Sequence, residues 1–514
     1  MTEASAPQSA PQQPVFNLRL ALGLLGILLA AMTAGLNSRI PGLALADIRG
    51  QLGIGFDQGT WLTSLYTAGE LVAMPFAAWF AITYSLRRFH LAMLLAMVAL
   101  AVVIPFVHSF WLLAGLRLLQ GIFAGALIPL LMTAALRFLP LPIRLHGLAL
   151  YAMTATLSPN VSVWLAAVLV EDPVSLNWLY WQVIPLGLLA AGLVYYGIPA
   201  SPPALPRLKQ GNWLGMALGA PGLVLLAIGI SQGVRLEWLH SPLICLLLGL
   251  GGVLTLLFLV SEWRHPAPFI RLQMLGRRNL GLGFTVFFCL LVAMSAGVSV
   301  PVSALAQLQG FRLEQMTALG LIIGLPQIVL GSVVALLLYR RWMDARYLFA
   351  LGLGLMALGC LLAARITSEW MVEQFFWSQV LQAIGQPVAV VCLLFLSTSV
   401  VQPMEGPFVA GIVNTIRALG TLFGGAFVGQ LSADRSRFHS EMLLNHAGQW
   451  LSHNPASAAG EGLGQVVSTQ AAVLASADIF LVFMVLLLVL IPLVLCLQYV
   501  PAPKIPKPPA SQAG

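Results

Sequence analysis

Long apolar runs, separated by short gaps that hold nearly all of the charge, constrain this chain more than any other feature. A bilayer core takes roughly 20 apolar residues per helix, and fourteen runs of about that length can be read along the sequence. Hydrocarbon offers the backbone no hydrogen-bonding partner, so each run must close its own bonds as a helix. Of the 514 residues, 59% are hydrophobic and 8% charged, against about 25% charged in a soluble domain. The expected fold class is an all-α integral membrane protein.

The expected spans fall into three groups. Six cover 17–45, 58–83, 89–108, 110–135, 145–170 and 177–199. Two more cover 213–232 and 240–261. The last six cover 280–305, 315–338, 346–366, 372–400, 406–432 and 477–499. A six-two-six order fits a carrier of two six-helix halves around a midplane site. The domains expected are a disordered tail over 1–16, a first half over 17–199, two linker helices within 200–275, and a second half over 276–499. The second half contains a long outer loop, 433–476, and a Pro-rich tail fills 500–514. Pro129, Pro159, Pro301, Pro326 and Pro387 lie in or near spans, where they serve as rocking points or as ordinary kinks.

The formal charge of +8 has a membrane explanation rather than a nucleic-acid one. One set of alternate gaps holds Arg87, Arg88, Arg137, Arg144, Arg207, Lys209, Arg264, Arg271, Arg277, Arg278, Arg340, Arg341, Arg346, Lys504 and Lys507. The other set holds Asp47, Asp57, Glu171, Asp172 and mixed pairs such as Arg235 with Glu237. Basic loops stay cytoplasmic, so both termini are expected inside. Trp61, Trp111, Trp178, Trp213, Trp238 and Trp370 stand at span ends, as interfacial aromatics do. The five cysteines lie in apolar runs without a CxxC pair and read as small hydrophobes.

Four charges remain at membrane depth: Arg39, Glu70, Arg117 and Arg417. Each costs at least ~2.5–3.5 kcal/mol there, so each is expected to face the protein interior or a watery cavity. Glu70 lies nine residues past Trp61, roughly 13 Å in at 1.5 Å per residue. Burial and a neighbouring guanidinium pull a carboxyl's proton affinity in opposite directions. Such a group can load and unload a proton near neutral pH; the same pattern also fits a fixed Glu–Arg pair that only holds helices together. Arg117, six residues past Trp111, is expected to tune Glu70. It shares a helix face with Gln120, and Gly121 with Gly125 forms a small-xxx-small packing pair. Asn414 and Arg417 share a face in the same way. Arg39 follows Asn37 in the first span, and reads either as a cavity residue or as a snorkelling anchor.

No Walker loop, HExxH, GxSxG or zinc spacing appears. The chain is therefore expected to be no enzyme, to need no cofactor or metal, and to draw on an ion gradient. His439, His446 and His453 recur every seven residues. They read as a metal site or pH sensor, or as a solvated helix face, with Phe438, Leu443 and Trp450 covering an amphipathic surface.

The segments GTW at 59–61, RLLQGIFAGALIPL at 117–130, LNW with LYWQVIPLG at 176–187, and NTIRAL at 414–419 resemble one family. This is the 14-span major facilitator drug:proton antiporter family, near its EmrB-like multidrug exporters. The resemblance implies a major facilitator fold of two six-helix halves plus two extra central helices. It implies proton-driven export across a bacterial inner membrane. It also implies docking to a periplasmic EmrA-like membrane-fusion adaptor and an outer-membrane channel. By the family's fourth-span motif, Arg117 is tied to proton coupling with Glu70. Asn37, Arg39, Gln120, Asn414 and Arg417 become cavity or gating residues. Asn37 stands where many relatives carry an acid; 76–88 lacks their Gly- and Asp-rich motif, and SPNVSVWLAA at 158–167 replaces their fifth-span motif. The cargo expected is an amphipathic small molecule. A dedicated exporter of one metabolite such as a siderophore, and a non-transporting sensor or interaction protein, are the alternatives.

Overall fold

The computed structural model describes residues 16–170, 176–453 and 463–503, except for the side chains of Leu141, Pro142, Pro403 and 447–453. Residues 1–15 of the expected tail, the acids Glu171 and Asp172, and Lys504 with Lys507 lie outside the described residues. Fourteen helices there are long and apolar enough to cross a membrane, one for each expected run.

The first half is built from α1 (Leu18–Leu43), a short α2 (Leu45–Leu52), α3 (Phe56–Tyr84), α4 (Leu86–Val103), α5 (Phe110–Phe138), α6 (Leu141–Val170), the one-turn α7 (Trp178–Trp181) and α8 (Val183–Gly197). Two central helices follow, α9 (Trp213–Gly233) and α10 (Pro242–Arg264). The second half contains α11 (Arg278–Met294), α12 (Ala296–Leu308), α13 (Thr317–Leu338), α14 (Ala345–Ala363), α15 (Phe376–Thr398), α16 (Gly406–His453) and α17 (Leu463–Leu495). Successive spans alternate in direction. The Arg-rich gaps therefore gather at one end of the bundle, called the basic end below.

Close packing within the first half depends on glycine. A Cβ on Gly121 would lie 2.1 Å from the Tyr66 carbonyl oxygen, and one on Gly125 would lie 2.2 Å from that of Glu70. Gly69 faces back at α5 in the same way, 2.2 Å from the Leu118 carbonyl oxygen. Three hydrogen-sized side chains thus let α3 and α5 touch backbone to backbone, as small residues do in membranes.

The expected loop over 433–476 is corrected by the structure. The helix of the thirteenth span continues to His453, and the last one already starts at Leu463. At 48 residues, α16 is about 72 Å long, more than twice a hydrocarbon core of ~30 Å. Charge ends the hydropathy signal at Asp434, but no Pro or Gly occurs between Ala433 and Ala447 to end the helix. Arg435 and His439 on α16 both bind Asp478 on α17, at 2.6 and 2.7 Å, and clamp the two together. Among the described residues no group of three metal-ligating side chains forms. His446 is exposed, and the His453 side chain lies outside the described residues.

All five spotlighted prolines, Pro129, Pro159, Pro301, Pro326 and Pro387, are inside helices. The ninth span is divided at Ser295 into α11 and α12.

Candidate functional site

A cavity of about 940 Å³ lies between the halves. Its mouth is away from the basic end, marked by Asp47 on α2, Val234 just after α9, Arg312 before α13 and Gly429 on α16. Its depth is reached by Arg39, Glu70, Thr154, Pro159 and Arg417. The structure is thus open at one end and closed toward the basic loops.

Glu70 accepts a hydrogen bond from Ser38 Oγ at 2.8 Å. The guanidiniums of Arg417 and Arg39 lie within electrostatic range of Glu70. Neither closes a salt bridge with it. Arg417 turns instead to α6, where it donates to Thr154 Oγ1 and to the Thr154 carbonyl oxygen. One turn away, Tyr151 Oη donates to Asn414 Oδ1 at 2.8 Å. Both links join α6 to α16 and so fasten the two halves across the inner wall of the cavity.

The pair expected between Glu70 and Arg117 does not form, and this is a correction. Arg117 is fully buried and donates to Gln120 Oε1 at 2.6 Å. Its guanidinium stacks over the Tyr66 ring, 4.3 Å from the centroid, with Tyr180 at 5.6 Å. Tyr66 also takes a hydrogen bond from Asn37 Nδ2 at 3.1 Å and lies within electrostatic range of both Glu70 and Arg117. Depth along the helix had suggested a direct contact. The rotation of α5 sends Arg117 to the aromatic side of α3, one turn short of Glu70.

Of the seven residues singled out for coupling, cargo and gating, the structure brings Arg39, Glu70 and Arg417 into one cavity. Asn37, Arg117 and Gln120 form a buried cluster around Tyr66, and Asn414 is part of the bridge between the halves. Arg39 lines the cavity rather than snorkelling to an interface.

Sequence reasoning missed Ser38, Thr154 and the hydroxyl lining that includes Thr67, Ser158, Ser162, Ser231, Ser299, Ser303 and Thr421. Several of them return their hydroxyls to their own helix, as Thr67 does to Thr63 and Ser303 to Val300. They therefore sit in apolar runs without a polar signature. A fully buried acid away from the cavity also escaped notice. Glu262, near the basic end of α10, accepts from Asn212 at 2.8 Å and from the Ile270 amide at 2.9 Å. It staples the linker helices to the following loop and lines no part of the cavity.

Two helical halves, a pair of central helices and one charged cavity between them define a membrane carrier. Residues 27–342 match the Major Facilitator Superfamily, and the chain belongs to that superfamily of transporters. It is similar to the fatty acid resistance protein FarB of Neisseria gonorrhoeae, at 24% identity over 94% of this chain and 96% of that protein. It is similar to the multidrug export protein EmrB of Escherichia coli K12, at 22% identity over 94% and 96%, and to EmrB of Haemophilus influenzae, at 23% over 84% of each. Among solved structures, the human organic anion transporter MFSD10 (TETRAN) shares the fold. Its TM-score is 0.56 at 17% identity, covering 91% of this chain and 99% of that one.

Proposed function

We propose that this chain is a proton-coupled antiporter that exports amphipathic, drug-like small molecules across a bacterial inner membrane. The observation that carries the reading is the cavity itself, with Glu70, Arg39 and Arg417 in its wall. A site of this kind holds a ligand by apolar contact and orients it with a few polar groups. Support for the cargo class comes from the relatives, named for multidrug export and fatty acid resistance.

In this reading the basic end faces the cytoplasm, both termini lie inside, and the cavity is open to the far side. Glu70 carries the proton. Arg39 and Arg417 are the cations it answers to, and Arg117 acts on it through Tyr66. When Glu70 is ionised it competes with Thr154 for Arg417; when protonated it leaves Arg417 on α6. Proton loading thereby biases the two facing states of the carrier through an equilibrium both sites share. No cofactor takes part.

We further propose that an EmrA-like periplasmic adaptor, leading to an outer-membrane channel, docks on the α16–α17 hairpin. Among the described residues, this hairpin is the part long enough to stand clear of a bilayer. Its Phe438, Met442 and Leu444 are exposed apolar side chains.

Purified protein in liposomes with an imposed pH gradient tests the core of the proposal. Ethidium and oleate serve as probes, chosen as an amphipathic cation and an amphipathic anion. Gradient-driven accumulation of either probe, with matching proton counterflow, is expected. Substrate flux that ignores the gradient would remove the antiport reading.

A further inference from the structure

We infer that α9, one of the two helices that lie outside the six-helix halves, is a moving wall of the transport cavity: it travels with the first half, slides on the second, and presents Ser231 to the cargo. The inference rests on the cavity being the cargo route.

The two sides of the cavity are closed differently. On one side α6 and α13 meet directly at several levels. A Cβ on Gly320 would lie 2.1 Å from the Asn160 carbonyl oxygen, and one on Gly331 would lie 3.6 Å from that of Ala149. On the other side α3 and α16 come together toward the basic end, where a Cβ on Gly411 would lie 3.1 Å from the Pro75 carbonyl oxygen. Nearer the mouth, α9 stands against both. Ser231 and the adjoining Val234 line the cavity, and Val234 Cγ2 would be 3.5 Å from a Cβ on Gly429 of α16.

The ties of α9 to the two halves are unequal. Toward α3, Ser231 Oγ shares a hydrogen bond with Ser64 Oγ at 2.7 Å, and Gln232 Nε2 donates to Ser64 Oγ at 2.7 Å. Arg235, just past the helix, pairs with Asp57 at 2.7 Å. At the basic end Trp213 meets Trp79 with ring centroids 6.0 Å apart, and Phe258 of α10 meets Phe76 at 5.7 Å. Toward α16, the polar tie among the described residues is a single bond made just past α9, from Trp238 Nε1 to Gln430 Oε1 at 2.7 Å. Rocking of the halves would break the weaker attachment first. The contact beside it is a side chain on glycine, which offers a smooth surface for sliding.

The test uses the full-length protein with its five native cysteines replaced. In the first arm, Ser231→Cys is exposed to a membrane-impermeant maleimide, with Leu250→Cys on the exposed apolar face of α10 as comparison. Faster labelling of the Ser231→Cys protein is expected. Equal or slower labelling overturns the inference, and this arm needs no transport activity. In the second arm, short bis-maleimides bridge Asp57→Cys to Arg235→Cys, or Trp238→Cys to Gln430→Cys, and ethidium or oleate flux is measured. The first bridge should leave flux at the level of the uncrosslinked pair, and the second should abolish it. Loss of flux from the first bridge, or none from the second, overturns the inference. A cysteine-free protein without flux would count against the proposed function, and the labelling arm would then decide the inference alone.

Discussion

Arg417 on α16 is held by Thr154 on α6, through both the hydroxyl and the carbonyl oxygen. That makes a cavity cation part of the fastening between the halves. A guanidinium can serve two oxygens at once and a lysine ammonium cannot do so in the same geometry. Arg417→Lys should therefore keep the cavity charge while weakening the bridge. Transport is expected to fall by about tenfold or more, the cost of ~1.4 kcal/mol in a lost charge-assisted bond. Flux assays on variants matched for membrane content check this. Wild-type flux from the lysine variant would show that the bridge is incidental.

The contact of α3 with α5 predicts a steep response at Gly125. Its Cβ would collide with the Glu70 carbonyl oxygen at 2.2 Å, and backbone cannot step aside as a flexible side chain would. Gly125→Ala should cost about 1–3 kcal/mol by overpacking. It should also disturb the position of Glu70. Thermal unfolding in detergent measures the first effect. An unchanged melting temperature would mean that the helices separate more easily than the packing implies.

The fourteen spans were legible because the bilayer enforces one length and one secondary structure on every apolar run. The charges of the cavity were legible for a related reason: Arg39, Glu70 and Arg417 have no business in hydrocarbon. What periodicity could not give was azimuth. Depth put Arg117 near Glu70, yet rotation about the helix axis took it to Tyr66 and Gln120. Much of the serine and threonine lining stayed hidden because a hydroxyl bonded to its own helix, as in Thr67 and Ser303, costs an apolar run little. The extension of α16 past residue 433 was missed because hydropathy marks the edge of a membrane, and helices end only where a cap or breaker stops them. Glu262 went unread because its satisfying partners, Asn212 and the Ile270 amide, are distant in sequence or in the loop.

Outside the spans, Glu405 sets a pH dependence. The Arg277 guanidinium, donating to both carboxylate oxygens at 2.7 Å, holds this carboxyl below its ordinary value. A depressed folded-state value means that the pair stabilises the protein above the unfolded value, near 4.3. That contribution is lost as pH falls through the lower folded value. Arg277 is partly exposed, so solvent screening limits the pair to about 1 kcal/mol or less. Glu405→Gln should lower the melting temperature slightly at pH 7 and flatten its decline between about pH 5 and 3. A variant whose decline parallels the wild type would assign the acid sensitivity to other carboxylates.

Glu70 carries the sharpest prediction. In the open cavity it holds Ser38 Oγ at 2.8 Å, with Arg39 and Arg417 in electrostatic range but unpaired with it. Glutamine keeps the shape and can accept the same serine hydrogen bond, but it cannot take or release a proton. Glu70→Gln should therefore insert and fold normally, bind cargo, and lose gradient-driven flux. Exchange of labelled cargo at equal pH should survive, because it needs no net proton movement. Asp47 and Asp57, two acids of the gap between the first two spans, are the next carboxylates to test, and the structure separates them. Asp47 lines the cavity mouth, whereas Asp57 is engaged by Arg235 at 2.7 Å. If Glu70→Gln still responds to a pH gradient at the wild-type rate, Asp47→Asn is the variant that must abolish the response. Retention of coupling in both variants would sink the carboxylate mechanism proposed for this cavity.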